Sequence, residues 1–234
     1  MSRSTSSTAS AEAEQLLQTA LMALQSGDTS RAEALARSII RTQPRHEGAH
    51  LLLARSLRSQ GFNKQALQSC RTALQHLPRS GALLIEQALT QRAAGRHAEA
   101  ELSYRAVLER EPDNVSALHN LGNLLQARGQ LDEAEALYKA VMAIAPQLAL
   151  AHFELGNVCA ARQDTPGARQ HWQAALLIQP TLAPAWLKLG VDLQDDHPEA
   201  AIEALQKGLN IDASDATALA LLSKLLSQVG RSVE

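Results

Sequence analysis

Five of the eight prolines, Pro44, Pro78, Pro112, Pro146 and Pro180, stand 34 residues apart. Twelve residues before each is an alanine: Ala32, Ala66, Ala100, Ala134 and Ala168. Twelve before those stands a small residue: Ala20, Ala54, Ala88, Gly122 and Gly156. Gly27, Gly61, Gly95 and Gly129 keep the same period. A fixed period of this length restricts the chain to an array. Each unit is one supersecondary piece that cannot bury its apolar face alone, so neighbours must stack to make a core.

Each unit reads as helix, turn, helix. In VSALHNLGNLLQARGQLDEAEALYKAVMAIAP, Leu118, Leu121 and Leu125 recur at three and four residues and line one helical face. Gly129 supplies the helix stop and a left-handed turn. Leu131, Ala134, Leu137, Tyr138 and Val141 form the stripe of the returning helix, which Pro146 closes. Gly122 and Ala134 mark the closest approach of the two helices, where a large side chain would overpack the hairpin. Pro166, Pro184 and Pro198 fall in the first turn of a helix, where the missing N–H is harmless. Asp164 and Thr165 precede Pro166, and either can cap that helix. Composition agrees: 45% of residues are hydrophobic, mostly Ala and Leu, but only 3% are aromatic, which suits packed helices better than a sheet.

The pattern resembles the tetratricopeptide repeat family, whose unit is a helix–turn–helix of this length. The residues that carry the likeness are Leu121-Gly122, Ala134, Tyr138 and Pro146, then Leu155-Gly156, Ala168, Trp172, Ala175 and Pro180, then Trp186, Leu189-Gly190 and Ala201. Units begin at Ala13, Glu47, Gly81, Val115, Ala149 and Ala183, and a last helix runs from Ala216 to about Val229. The sixth unit is one residue short, and Ala213 replaces its proline. The resemblance implies an all-α fold, a right-handed superhelical solenoid of antiparallel helix pairs over residues 11–234. Residues 1–10, rich in Ser and Thr, are expected as a disordered leader.

The resemblance also implies a concave groove lined by first helices. The residues expected to bind there are Arg55, Arg58, Glu86, Arg92, His119, Asn120, Asn123, Phe153, Glu154, Asn157 and Lys188. Asn side chains offer a donor and an acceptor to an extended backbone. Arg55, Arg58 and Arg92 make the early half basic and point to an acidic segment of a partner. The carboxylate clamp of chaperone-binding members does not transfer: Glu154 would repel the ligand, and only Asn123 matches. An asparagine ladder like that of O-linked N-acetylglucosamine transferase arms finds a single match, Asn120.

Catalytic chemistry finds little support. His46-Glu47-Gly48-Ala49-His50 matches the zinc-protease motif H-E-x-x-H. In the repeat frame, however, His46 falls in the loop between units and His50 in a packing column. The segment LLLARSLRSQG after His50 offers no third ligand. Cys70 and Cys159 occupy packing columns and read as small buried residues. No G-x-S-x-G, Walker or dinucleotide motif occurs.

The expectation is therefore a non-enzymatic interaction scaffold with no cofactor, no metal and no catalytic residue. Its partner would be a protein or peptide, with self-association as a further option. The alternative is the substrate-recruiting arm of a larger enzyme, such as a glycosyltransferase, sulfotransferase or hydroxylase. A net charge of −2 marks the chain for neither nucleic acid nor membrane. Two cysteines without a disulfide framework, and no secretory signal, point to the cytoplasm.

Overall fold

The computed structural model describes residues 2–232, with side chains described over 11–230. Thirteen α-helices and no strand occur among the described residues. They fall into two compact units, Met1–Ala117 and Leu118–Glu234. In the first unit the hairpins are α1 (Ser2–Gln25) with α2 (Thr29–Thr42), α3 (Glu47–Ser59) with α4 (Asn63–His76), and α5 (Gly81–Ala93) with α6 (His97–Leu108). The unit boundary falls inside α7 (Val115–Ala127). The second unit continues with α8 (Leu131–Ile144), α9 (Ala149–Ala161), α10 (Thr165–Ile178), α11 (Ala183–Leu193), α12 (Pro198–Ile211) and α13 (Ala216–Ser232).

The helix ends follow local chemistry. Asp28, Ser80, Asn114 and Asp164 accept the backbone N–H three residues on, satisfying a donor that each helix start leaves orphaned. Between paired helices Gly27, Gly61, Gly95 and Gly129 adopt φ of +75 to +84°, the left-handed turn that glycine enters without strain. Gln163 holds the same turn in the fifth hairpin at φ 64°, the one positive φ away from glycine among the described residues.

At its N terminus α1 departs from expectation. Its backbone is helical from Ser2, through the residues expected as a disordered leader. No glycine or proline interrupts the sequence before Ala13, so nothing stops the helix from running back.

Each unit has its own core between hairpins. In the first, Ala20, Ala36 and Leu52 form one buried cluster, and Ala13, Ile39 and Ala49 another. In the second, Phe153, Trp172, Leu176 and Leu189 pack with Ala168, Ala175 and Ala185. Full burial of one such large side chain contributes about 1.5–3 kcal/mol. The small residues set how closely the helices approach. A Cβ on Gly122 would lie 2.7 Å from Tyr138 Cε1, and one on Gly156 would lie 2.5 Å from Trp172 Cδ1. The glycine admits the ring, and the ring fills the gap the glycine leaves.

Candidate functional site

In the second unit, two adjoining cavities of about 550 and 430 Å³ run along α7, α9 and α11. Gln126 and Ala161 line both. Asn123, Ala127, Leu131 and Glu154 complete one; Asn157, Ala160, Trp172, Lys188, Val191 and Asp192 complete the other. Four of the residues expected in a groove, Asn123, Glu154, Asn157 and Lys188, are thus brought together.

The asparagines, however, are partly committed to the fold. Tyr138 Oη lies 2.6 Å from Asn123 Oδ1 and 2.8 Å from Gln126 Oε1. A hydroxyl has one proton, so it donates to one amide oxygen, and the other amide must turn its NH2 toward the phenol. Trp172 Nε1 donates to Asn157 Oδ1 at 3.2 Å, and Asn157 Nδ2 donates to Glu154 Oε2 at 3.1 Å. Each asparagine holds the polar tip of the aromatic from its own hairpin and presents only its remaining capacity outward. Burial pushes the Glu154 carboxyl up, against the opposing pull of the Asn157 hydrogen bond and the Lys188 charge.

Two further expected residues pack against the fold. Phe153 is buried in the core with Trp172 and Leu189, which leaves little of its ring to meet a ligand. His119 sits beside Tyr138 with ring centroids 6.1 Å apart, so its ring packs on the helix pair. Asn120 is half-buried on α7. Sequence reasoning missed Val191, although it stands in the same column as Asn123 and Asn157. It also missed the second-helix residues Trp172 and Leu131, whose reach between first helices no single-helix pattern reveals.

The first unit presents a different arrangement. Glu86 is 1% exposed, and both its oxygens are bound: Arg55 Nε donates at 3.0 Å and Arg58 Nε at 2.8 Å. Three residues expected to meet a partner therefore meet one another first, and Glu86 is closed to any ligand. Arg92, on α5, is half-buried. Tyr104 is 0% exposed, and no protein acceptor bonds its hydroxyl. Its phenol is pushed up to about 12 by burial, with Arg92 and Arg58 pulling down and Glu86 pushing up. The Cys70 thiol is likewise raised to about 12, chiefly by burial and then by Glu86, which leaves it inert as a nucleophile at neutral pH.

The zinc-like motif resolves into structural roles. His46 precedes α3 as its N-cap, with Nδ1 accepting from the Ala49 N–H at 3.2 Å. Glu47 accepts a hydrogen bond from Ser80 Oγ. His50 is buried, with Nε2 at 2.8 Å from the Pro44 carbonyl. A carbonyl can only accept, so Nε2 carries the proton. His152 and His171 approach each other on α9 and α10, with centroids 5.9 Å apart. Burial lowers the pKa of both, and at His171 the His152 charge lowers it further. No group of three or more metal-ligating side chains occurs among the described residues, and none of their helices is long and apolar enough to cross a membrane.

Antiparallel helix pairs recurring at a fixed period, small residues at the crossings and a lined first-helix face define an all-α hairpin-repeat protein. Two family profiles, both described as tetratricopeptide repeat, match residues 11–81 and 91–155, more than half of the chain. The chain belongs to the tetratricopeptide repeat family. Among curated proteins none matches it. Solved structures share the fold. A chain of the APC/C hetero-tetramer Cut9–Hcn1 superposes with TM-score 0.78 at 17% identity over 92% of this chain. This chain spans only 43% of that one. PilW, a type IV pilus biogenesis factor, gives TM-score 0.74 at 22% identity, covering 92% of this chain and 98% of its own. PilF of Pseudomonas aeruginosa gives 0.73 at 17% identity, covering 94% and 99%.

Proposed function

We propose that the protein is a non-catalytic interaction scaffold that holds an extended peptide or a partner segment along its first-helix faces. The observation that carries this reading is the pair of adjoining cavities along α7, α9 and α11, with Gln126 and Ala161 common to both. Their walls mix apolar area from Val191, Leu131 and Trp172 with amide and charged groups, the combination that fixes a peptide's register while burying its side chains. Similarity to chains of multi-protein assemblies, such as the Cut9–Hcn1 complex, supports a protein partner. In the first unit Arg55, Arg58 and Arg92 favour an acidic stretch of that partner, since two guanidinium groups share the single Glu86 carboxylate and Arg92 adds a further positive charge.

Blocking the cavities without disturbing the core tests the reading. Ala161 is exposed and borders both cavities, so Ala161→Arg fills them while leaving the hairpin contacts in place. In affinity capture followed by mass spectrometry, proteins retained by the native chain should be lost on the variant. Partners held equally by both would rule out this face as the binding surface.

A further inference from the structure

A third cavity, of about 550 Å³, lies between α11 and the start of α13. Lys188 and Val191 line both it and the cavity beside Trp172, just as Gln126 and Ala161 join that cavity to the one beside Asn123. The three therefore make one groove within the second unit, passing α7, α9, α11 and α13. The groove is open to a partner: Ala161, Lys188 and Thr217 are exposed, and Val191 is 43% exposed. Leu131, Trp172, Leu187 and Val191 give it apolar surface along its length.

Its charges are spread along the same line and are mostly of one sign. Glu154 stands in the first cavity, Asp192 in the middle one, and Asp212 and Asp215 in the third. Lys188 is the one cation lining any of them among the described residues. Arg169, which lines none, pairs with Asp192 and offsets its charge. The other three carboxylates have no such partner. Asp212 Oδ1 accepts from the Ser214 N–H at 3.0 Å, and Asp215 Oδ1 accepts from the Thr217 and Ala218 N–H at 2.9 and 3.0 Å. Those bonds fix the loop but bring no positive charge. Glu154 holds only the Asn157 amide. The whole unit shares this bias, with eight Lys and Arg against thirteen Asp and Glu, where the first unit has fourteen against eleven.

We propose that this groove docks an extended segment of a partner protein that places Lys or Arg over Asp212 and Asp215 and apolar side chains in the other two cavities. An acidic segment would be repelled along the groove, and a neutral one would leave three carboxylates uncompensated. Neighbouring first helices packed about 10 Å apart are crossed by about three residues of extended chain at roughly 3.3 Å each. The anchors of the segment are therefore spaced about three residues apart. The proposal rests on the scaffold reading and assigns the chemistry of the segment held by the second unit, opposite in charge to the one the first unit favours.

The probe is a labelled nonapeptide with two lysines at one end, leucines three and six residues beyond the second lysine, and serine elsewhere. It is tested with its reversed sequence, since the groove can be entered from either end. Fluorescence anisotropy at low salt should show binding in one orientation, weakening as salt is added. Glutamate in place of the lysines should abolish binding, and serine in place of the leucines should weaken it roughly tenfold or more. Asp212→Asn with Asp215→Asn should weaken the lysine probe by roughly fivefold to twentyfold. Asparagine caps a helix start as aspartate does, so the loop is kept while its charge is removed, which a thermal melt checks. Lys188→Gln should tighten the probe by about twofold to fivefold, a gain that damage to the fold would not produce.

No binding in either orientation, equal affinity in the asparagine variant, or weaker binding to Lys188→Gln would overturn the proposal. So would a glutamate probe that binds as tightly, and a serine probe that does so would reduce the groove to a diffuse attraction for cations. The scaffold reading is judged separately, by Ala161→Arg in the other two cavities: partners lost there while the glutamate probe outbinds the lysine probe would keep the scaffold and reject the basic segment.

Discussion

Two hairpins one repeat apart, α5–α6 and α7–α8, bury a tyrosine in the same column and treat it oppositely. In the later hairpin, glycine at the crossing admits the ring, and two amides close on its hydroxyl at 2.6 and 2.8 Å. In the earlier hairpin, alanine replaces the glycine, leucine and arginine replace the amides, and the hydroxyl is left unbonded. The same packing template thus yields a self-sufficient crossing in one place and an acceptor-seeking one in the other. Polar residues on first helices therefore cannot be taken as ligand contacts until the demands of the second helix are met. Asn123 and Asn157 answer such demands, while Glu86 answers two arginines of the preceding first helix.

The largest effect should come from the charged cluster. Arg55→Ala with Arg58→Ala leaves the Glu86 carboxylate buried with neither partner. Removing the partners of a buried charge costs on the order of 3 kcal/mol, tempered here because Arg55 is 48% exposed. Urea unfolding should show a much lower midpoint, and an unchanged midpoint would mean Glu86 does not depend on this pairing. Binding losses in that double variant would consequently reflect folding as much as recognition.

Next in size is the crossing itself. Gly122→Ala pushes a methyl toward a ring that Asn123 and Gln126 anchor. Overpacking of about 1–3 kcal/mol should exceed the helix-propensity gain of roughly 1 kcal/mol, so the melting temperature falls. Ala88 already occupies the equivalent place beside Tyr104, and Ala88→Gly should also destabilise, by about 1 kcal/mol of lost propensity. A neutral Gly122→Ala would show that the ring of Tyr138 is as free to shift as that of Tyr104.

Smaller still is the hydroxyl comparison. Tyr138→Phe loses a satisfied hydrogen bond and should cost about 1 kcal/mol in chemical denaturation. Tyr104→Phe removes an unbonded group and should cost nothing. Equal losses would erase the distinction between the two hairpins.

The smallest expected effect is on pH. His50 and His152 share a column, but His50 donates to the Pro44 carbonyl while His152 Nδ1 is buried without a partner beside His171. The pKa values of His152 and His171 are held below the ordinary histidine value of about 6.5. The neutral forms are therefore favoured in the folded state. Their contribution to stability is complete above the unfolded value and is lost as pH falls through the folded ones. Urea midpoints should decline between pH 7.5 and 5.5, about one unit to either side of that value. Changing both His152 and His171 to Gln should flatten the decline, and an equal slope in that variant would assign it to other groups.

Much of this was legible in the chain. The proline, alanine and glycine columns place the helix pairs, because each reports a local requirement: a stop, a close crossing, a left-handed turn. The family and the packing roles of His50 and Cys70 follow from the same columns. Phe153 stands in a column whose other members, Leu51, Ile85, His119 and Leu187, are half-buried, and its larger ring is buried against Trp172 and Leu189. Trp172 and Leu131 were invisible as groove residues because they arrive from second helices.

The sequence by itself determined the repeat, the element order and the small residues at each crossing, all of which depend on spacing along one helix or between two adjacent ones. Only the tertiary structure decided which polar side chains are already spent. Hydrogen-bond capacity is used up between residues 12 to 31 positions apart, as in Gln126–Tyr138 and Arg55–Glu86. The sign of a first-helix residue's role, support or recognition, depends on whether its partner across the hairpin offers a donor or an acceptor.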